Sequence, residues 1–96
     1  MRKYVLTPSA KADLEETFDY ISDDNFDAAV RIVAGLEKRC RMLAESPLVG
    51  HTRPNLLAEE FRIFPVGSYL IIYRPATRPL QIIRFWHAAR GTPDLF

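Results

Sequence analysis

The chemistry this chain can offer is concentrated near its end, where Arg84, Trp86, His87 and Arg90 follow one another within seven positions. Arg62 and Arg74 lie upstream, in β-branched and aromatic runs that a sheet can bring beside them. A guanidinium presents a planar fork of donors that matches a carboxylate or a phosphate, and aromatic rings beside it offer faces for stacking. Such a set can grip the phosphates and bases of a nucleic acid. It can equally grip the acidic and apolar face of a partner protein. Strand alternation puts Arg84 and Trp86 on one face and Phe85 and His87 on the other. A second reading of the same residues places Trp86 in the core and leaves His87 as an ordinary strand-end residue.

Other chemistries are disfavoured by spacing. Gly35, Gly50, Gly67 and Gly91 are scattered singly, so there is no glycine-rich phosphate loop. Neither His51 nor His87 has an acidic or thiol neighbour at metal-ligand spacing. Cys40 is the only cysteine, which excludes an intrachain disulfide and a cysteine metal site. On the apolar stripe of a helix it reads as a core thiol. Glu15 and Glu16, like Glu59 and Glu60, are adjacent in sequence, so their carboxylates diverge and cannot share acid–base work. The expectation is a chain with no catalytic set, no metal and no cofactor.

Charge is distributed unevenly. Residues 1–30 carry three basic and seven acidic side chains, a balance of −4, and residues 31–96 carry ten and five, a balance of +5. Past Arg53 every cation is an arginine: Arg62, Arg74, Arg78, Arg84 and Arg90. An anionic partner is therefore expected at the C-terminal half. Ninety-six residues, 48% of them apolar, make one domain, residues 1–96. The run Leu70-Ile71-Ile72-Tyr73 is too short to span a bilayer and no signal-peptide stretch follows Met1, so a cytoplasmic location is expected.

The elements that must position these residues follow from local signals. Lys3–Leu6 reads as a strand. Thr7-Pro8 is a hydroxyl N-cap followed by proline at the first helical position. Ala10, Leu14, Phe18 and Ile21 then form an apolar stripe, with Asp13, Glu15, Glu16 and Asp19 on the solvated side. Ser22-Asp23-Asp24-Asn25 is the polar turn into a second helix, from about Asp27 to Ala44, with Ala29, Ile32, Val33, Leu36, Cys40 and Leu43 as its stripe. Two helices joined so closely are antiparallel neighbours. Pro47–Leu57 reads as a loop. Three strands follow. Phe61–Val66 is an edge or ends early because of Pro65. Tyr69–Arg74 is apolar on both faces and therefore central, and Leu80–His87 comes third. The tail is irregular or a single helical turn. The order β-α-α-β-β-β is an α+β fold with the C-terminal strands antiparallel and the helices on one face.

Four segments in this order resemble the RelE/ParE superfamily of toxins. They are Leu6–Leu14 with Tyr20-Ile21, Arg39–Pro47 with Gly50, Arg62–Arg74, and Ile82–Arg90, the last similar to an "I-x-R-h-x-H-x-x-R" ending. The resemblance implies the fold just derived and a bacterial type II toxin. It also implies a small antitoxin that wraps the toxin with an extended segment and a helix, here a ParD-like ribbon-helix-helix DNA-binding protein. One branch of the superfamily cuts messenger RNA on the ribosome without metal, and the other, ParE-like, poisons DNA gyrase. Where the nuclease branch has an arginine after the tyrosine of the central strand, this chain has Leu70, and where it has a near-terminal tyrosine, Phe96. Neither can move a proton or stabilise charge on a phosphate. The ParE-like branch is the better match, with Arg62, Tyr69, Arg74, Arg84, Trp86, His87 and Arg90 as candidates for binding antitoxin or target. A ribosome-dependent nuclease and a non-toxic antitoxin-binding homologue are the alternatives.

Overall fold

The computed structural model describes residues 3–93. Its elements are β1 (Tyr4–Leu6), α1 (Pro8–Ser22), α2 (Phe26–Glu45), β2 (Arg62–Val66), β3 (Tyr69–Arg74), β4 (Leu80–His87) and a 3₁₀ turn, Ala88–Arg90. The four strands form one sheet in the order β1-β4-β3-β2. The antiparallel run β2-β3-β4 and the edge position of the proline-containing strand agree with the sequence pattern. β1 adds parallel to β4, with Tyr4 opposite Leu80 and Leu6 opposite Ile82, so the sheet is mixed.

Both helices begin as their caps dictate. Thr7 Oγ1 accepts from Ala10 N at 3.1 Å with Pro8 in the first turn, and Asn25 Oδ1 accepts from Ala28 N at 3.0 Å. The stripe on α1 differs from expectation. Ala10, Asp13 and Thr17 are its buried residues, whereas Leu14, Phe18 and Ile21 are half-buried. Asp13, expected on the solvated side, is 5% exposed. On α2, Ala29, Leu36, Cys40 and Leu43 are buried as expected, but Ile32 faces outward.

Each face of the sheet has its own core. On the helix side Ala10, Leu36, Cys40 and Leu43 pack with Ile71, Tyr73, Leu80, Ile82 and Phe85. On the other side Ile63, Ile72, Ile83 and Trp86 pack under Leu57 and Phe61, which come from the segment between α2 and β2. The strands are apolar on both faces because this long connection covers the second one. β4 serves both cores through a bulge. Ile72 opposes Arg84 and Tyr73 opposes Ile82, leaving Ile83 unpaired. Leu80 and Ile82 before the bulge, and Phe85 after it, therefore face the helices.

Candidate functional site

The candidate residues separate into two groups, because β3 puts Tyr69 and Arg74 at opposite ends, about 17 Å apart for five steps of strand. At the Arg74 end the arginines are engaged with the fold itself. Arg62 Nη1 donates to Gly50 O at 2.8 Å and to Leu48 O at 3.3 Å, clamping the connection onto β2. Tyr73 completes this latch: its hydroxyl donates to Pro47 O at 2.8 Å and accepts from Gly50 N at 2.9 Å. Arg74 lies over the Phe61 ring at 5.2 Å and reaches Gln81 Oε1 at 3.5 Å, with Glu60 3.9 Å away.

Arg84 is likewise committed. Its Nε and Nη2 donate to the two oxygens of Asp13 at 2.6 and 2.7 Å, a bidentate pair between α1 and β4. β1 ends at Leu6, so beyond it the outer edge of β4 needs other partners. Thr7 supplies two: its N–H donates to Ile82 O at 3.1 Å and its hydroxyl to Ile83 O at 2.8 Å. Asp13 supplies the next, accepting from Phe85 N at 3.1 Å. The carboxylate is buried because it finishes the strand edge that β1 leaves open.

Trp86 is only 4% exposed, which settles it as a core residue rather than an exposed stacking platform. Its Nε1–H donates to Gly91 O at 3.0 Å. Two guanidiniums lie over its ring, Arg84 at 5.0 Å and Arg90 at 4.2 Å from the centroid. Arg90 makes no ion pair among the described residues, so its charge is not neutralised as that of Arg84 is.

Tyr69, His87 and Arg90 meet at the other end. They line one side of a groove of about 500 Å³ whose remaining walls are Phe85 and, from α1, Asp13, Glu16, Thr17 and Tyr20. Tyr69 and His87 are cross-strand partners with rings edge to face, 5.0 Å between centroids. His87 Nδ1 accepts from Ala89 N at 3.1 Å, capping the 3₁₀ turn, so the neutral imidazole carries its proton on Nε2. The groove thus has aromatic walls, one arginine with no ion pair among the described residues, hydroxyl donors and two carboxylates, Glu16 and the Arg84-paired Asp13.

Asp13, Glu16, Thr17 and Tyr20 were not among the candidates read from sequence. Thr17 carried a signal, standing seven residues after Ala10 and four after Asp13 on one helical face. Tyr20 is 82% exposed, an aromatic left outside both cores. Leu70 packs against the loop-covered core and does not line the groove. Phe96 lies outside the described residues.

No curated protein matches the sequence. Among solved structures, a chain of the chromosomal ParDE toxin–antitoxin system from P. aeruginosa is similar, with a TM-score of 0.74 and 21% identity. The match covers 91% of this chain and 96% of that one, and it shows the shared fold. Residues 4–91, nearly the whole length, match the family described as the ParE toxin of the type II toxin–antitoxin system parDE. The chain belongs to the ParE toxin family of type II toxin–antitoxin systems.

Proposed function

We propose that this toxin acts by binding DNA gyrase rather than by cutting RNA, and that an antitoxin of the ParD kind silences it. Membership of the ParE family over residues 4–91 carries the reading. The local chemistry supports it. Arg62 and Arg84 are occupied by the chain's own carbonyl and carboxylate groups, Arg74 lies over the Phe61 ring at the far end of β3, and Arg90 is the cation that lines the groove. Exposed apolar side chains supply contact surface for partners: Tyr20, Phe26, Val30, Leu48, Val49 and Leu56 are each more than 40% exposed. A second groove of about 490 Å³ has Leu6, Leu14, Phe18 and Val33 as its apolar wall, with Lys11, Glu15 and Asp19 beside them.

Two assays on the purified toxin, freed of antitoxin, test the reading. Gyrase supercoiling should be inhibited, and primer extension on translating ribosomes should show intact messenger. Codon-specific cuts in the ribosomal A site that Arg90→Ala abolishes would overturn the reading in favour of a nuclease.

A further inference from the structure

We infer that Asp13, Arg84 and Trp86 form a positioning platform that holds Arg90 ready to receive an acidic side chain of a partner protein. The inference rests on the reading of this chain as a protein-binding toxin, and it assigns the groove between α1 and the ends of β3 and β4.

Two guanidiniums share one indole, at 5.0 and 4.2 Å from its centroid. Both are attracted to the ring and repel each other. The arrangement is relieved because Arg84 is paired bidentately with a carboxylate that is itself 5% exposed. With Arg84 paired, Arg90 lies on the ring with no ion pair of its own among the described residues. The indole is pinned in turn by its hydrogen bond to Gly91 O, next to Arg90 in the chain. An arginine held by its face keeps its N–H groups for an incoming anion and loses less side-chain entropy on binding.

The groove indicates which anion. Asp13 and Glu16 on its wall, against one lining arginine, oppose a nucleic-acid backbone, which brings a charge every ~1.7 Å. A single carboxylate flanked by apolar side chains meets Arg90 while its neighbours contact Tyr20, Tyr69 and Phe85.

Trp86 is the only tryptophan, so its emission reports the stack directly. The test uses the full chain and a cognate antitoxin of the ParD kind, with emission of the free toxin and affinity of the complex both measured. Arg90→Ala should change the emission and weaken the complex by at least about tenfold. Asp13→Asn, which removes the bidentate carboxylate from Arg84, should do the same in its folded fraction. Asp13→Asn with Arg84→Gln removes the repelling cation and should return affinity to within about threefold of the parent. A purely structural Asp13 would lower the melting temperature and leave emission and affinity of the folded protein unchanged, which overturns the inference. Should Asp13→Asn fail to fold, Arg90→Lys decides: it keeps the charge but not the planar face, and full affinity in that variant overturns the platform. A complex indifferent to Arg90→Ala removes the inference and leaves the function standing. Absence of any complex removes the inference and the antitoxin part of the proposed function, while the supercoiling assay decides the gyrase part. Arg90-dependent binding of a single-stranded RNA oligonucleotide at matching affinity overturns the carboxylate assignment.

Discussion

At the scale of single residues, Gly50 and Cys40 are the most constrained. A Cβ on Gly50 would stand 2.3 Å from Tyr73 Oη and 2.9 Å from Ile63 O, and the tyrosine hydroxyl is held at both lone pair and proton. Gly50→Ala should therefore destabilise the fold by about 1–3 kcal/mol, as overpacking does, measured by urea unfolding with an unchanged slope. Cys40 is fully buried, and burial pushes its thiol up to about 12 from 9.0, with Glu37 adding to the rise and Arg41 opposing it. Between those values the folded chain keeps a proton that the unfolded chain releases, so rising pH favours unfolding. Stability should be independent of this thiol below about pH 9 and should fall as pH climbs from there toward 12. Burial also raises Tyr4 and Tyr73 above 10.0, which steepens the loss at higher pH. Cys40→Ala should remove the part of the slope that begins near pH 9. Unfolding curves collected across pH 7–10.5 check this, and an unaltered slope would refute it.

At the scale of elements, Thr7 joins strand, helix and sheet edge. Its hydroxyl accepts from Ala10 N as the cap of α1 and donates to Ile83 O, so one side chain both starts the helix and extends the edge pairing of β4. Thr7→Ala loses both bonds and should cost about 1–2 kcal/mol. Thr7→Ser keeps both and should cost less, and equal losses in the two variants would show that the methyl group, not the hydroxyl, matters. The bulge at Ile83 is the other decision at this scale. It lets β4 supply Ile82 and Phe85 to one core and Ile83 and Trp86 to the other.

For the whole molecule, the connection between α2 and β2 acts as a layer. Phe61 and Leu57 are 2% and 6% exposed, and the latch of Tyr73, Arg62 and Gly50 ties the segment to the sheet. Phe61→Ala should cost about 3–5 kcal/mol, the range for removing a buried aromatic, and should bind a hydrophobic dye as Trp86 and Ile72 lose their cover. A loss below about 1 kcal/mol, the range of surface changes, would show that the segment is not part of the cooperative core. No helix among the described residues is long and apolar enough to cross a membrane.

Local signals alone determined the element order, both helix caps and the edge position of the proline-bearing strand, because each depends on neighbours a few residues apart. The tracts shared with the toxin superfamily also carried the family reading. The partners of the charged residues were decided only by tertiary structure. Helical periodicity puts Asp13 with solvated carboxylates, and only the shortness of β1, which leaves β4 with an unpaired edge, gives it reason to be buried. The same edge brings Arg84 to Asp13 across 71 positions of chain. Apolar residues on both faces of the strands, with helices over only one, read as an exposed interaction surface on the other; in the structure that face is instead buried under a segment whose own sequence reads as loop. Tyr69, His87 and Arg90 were legible as candidates because they lie in one strand pair and its exit. Tyr20 and Glu16 were not, since a helix's approach to a sheet end depends on packing between distant parts of the chain.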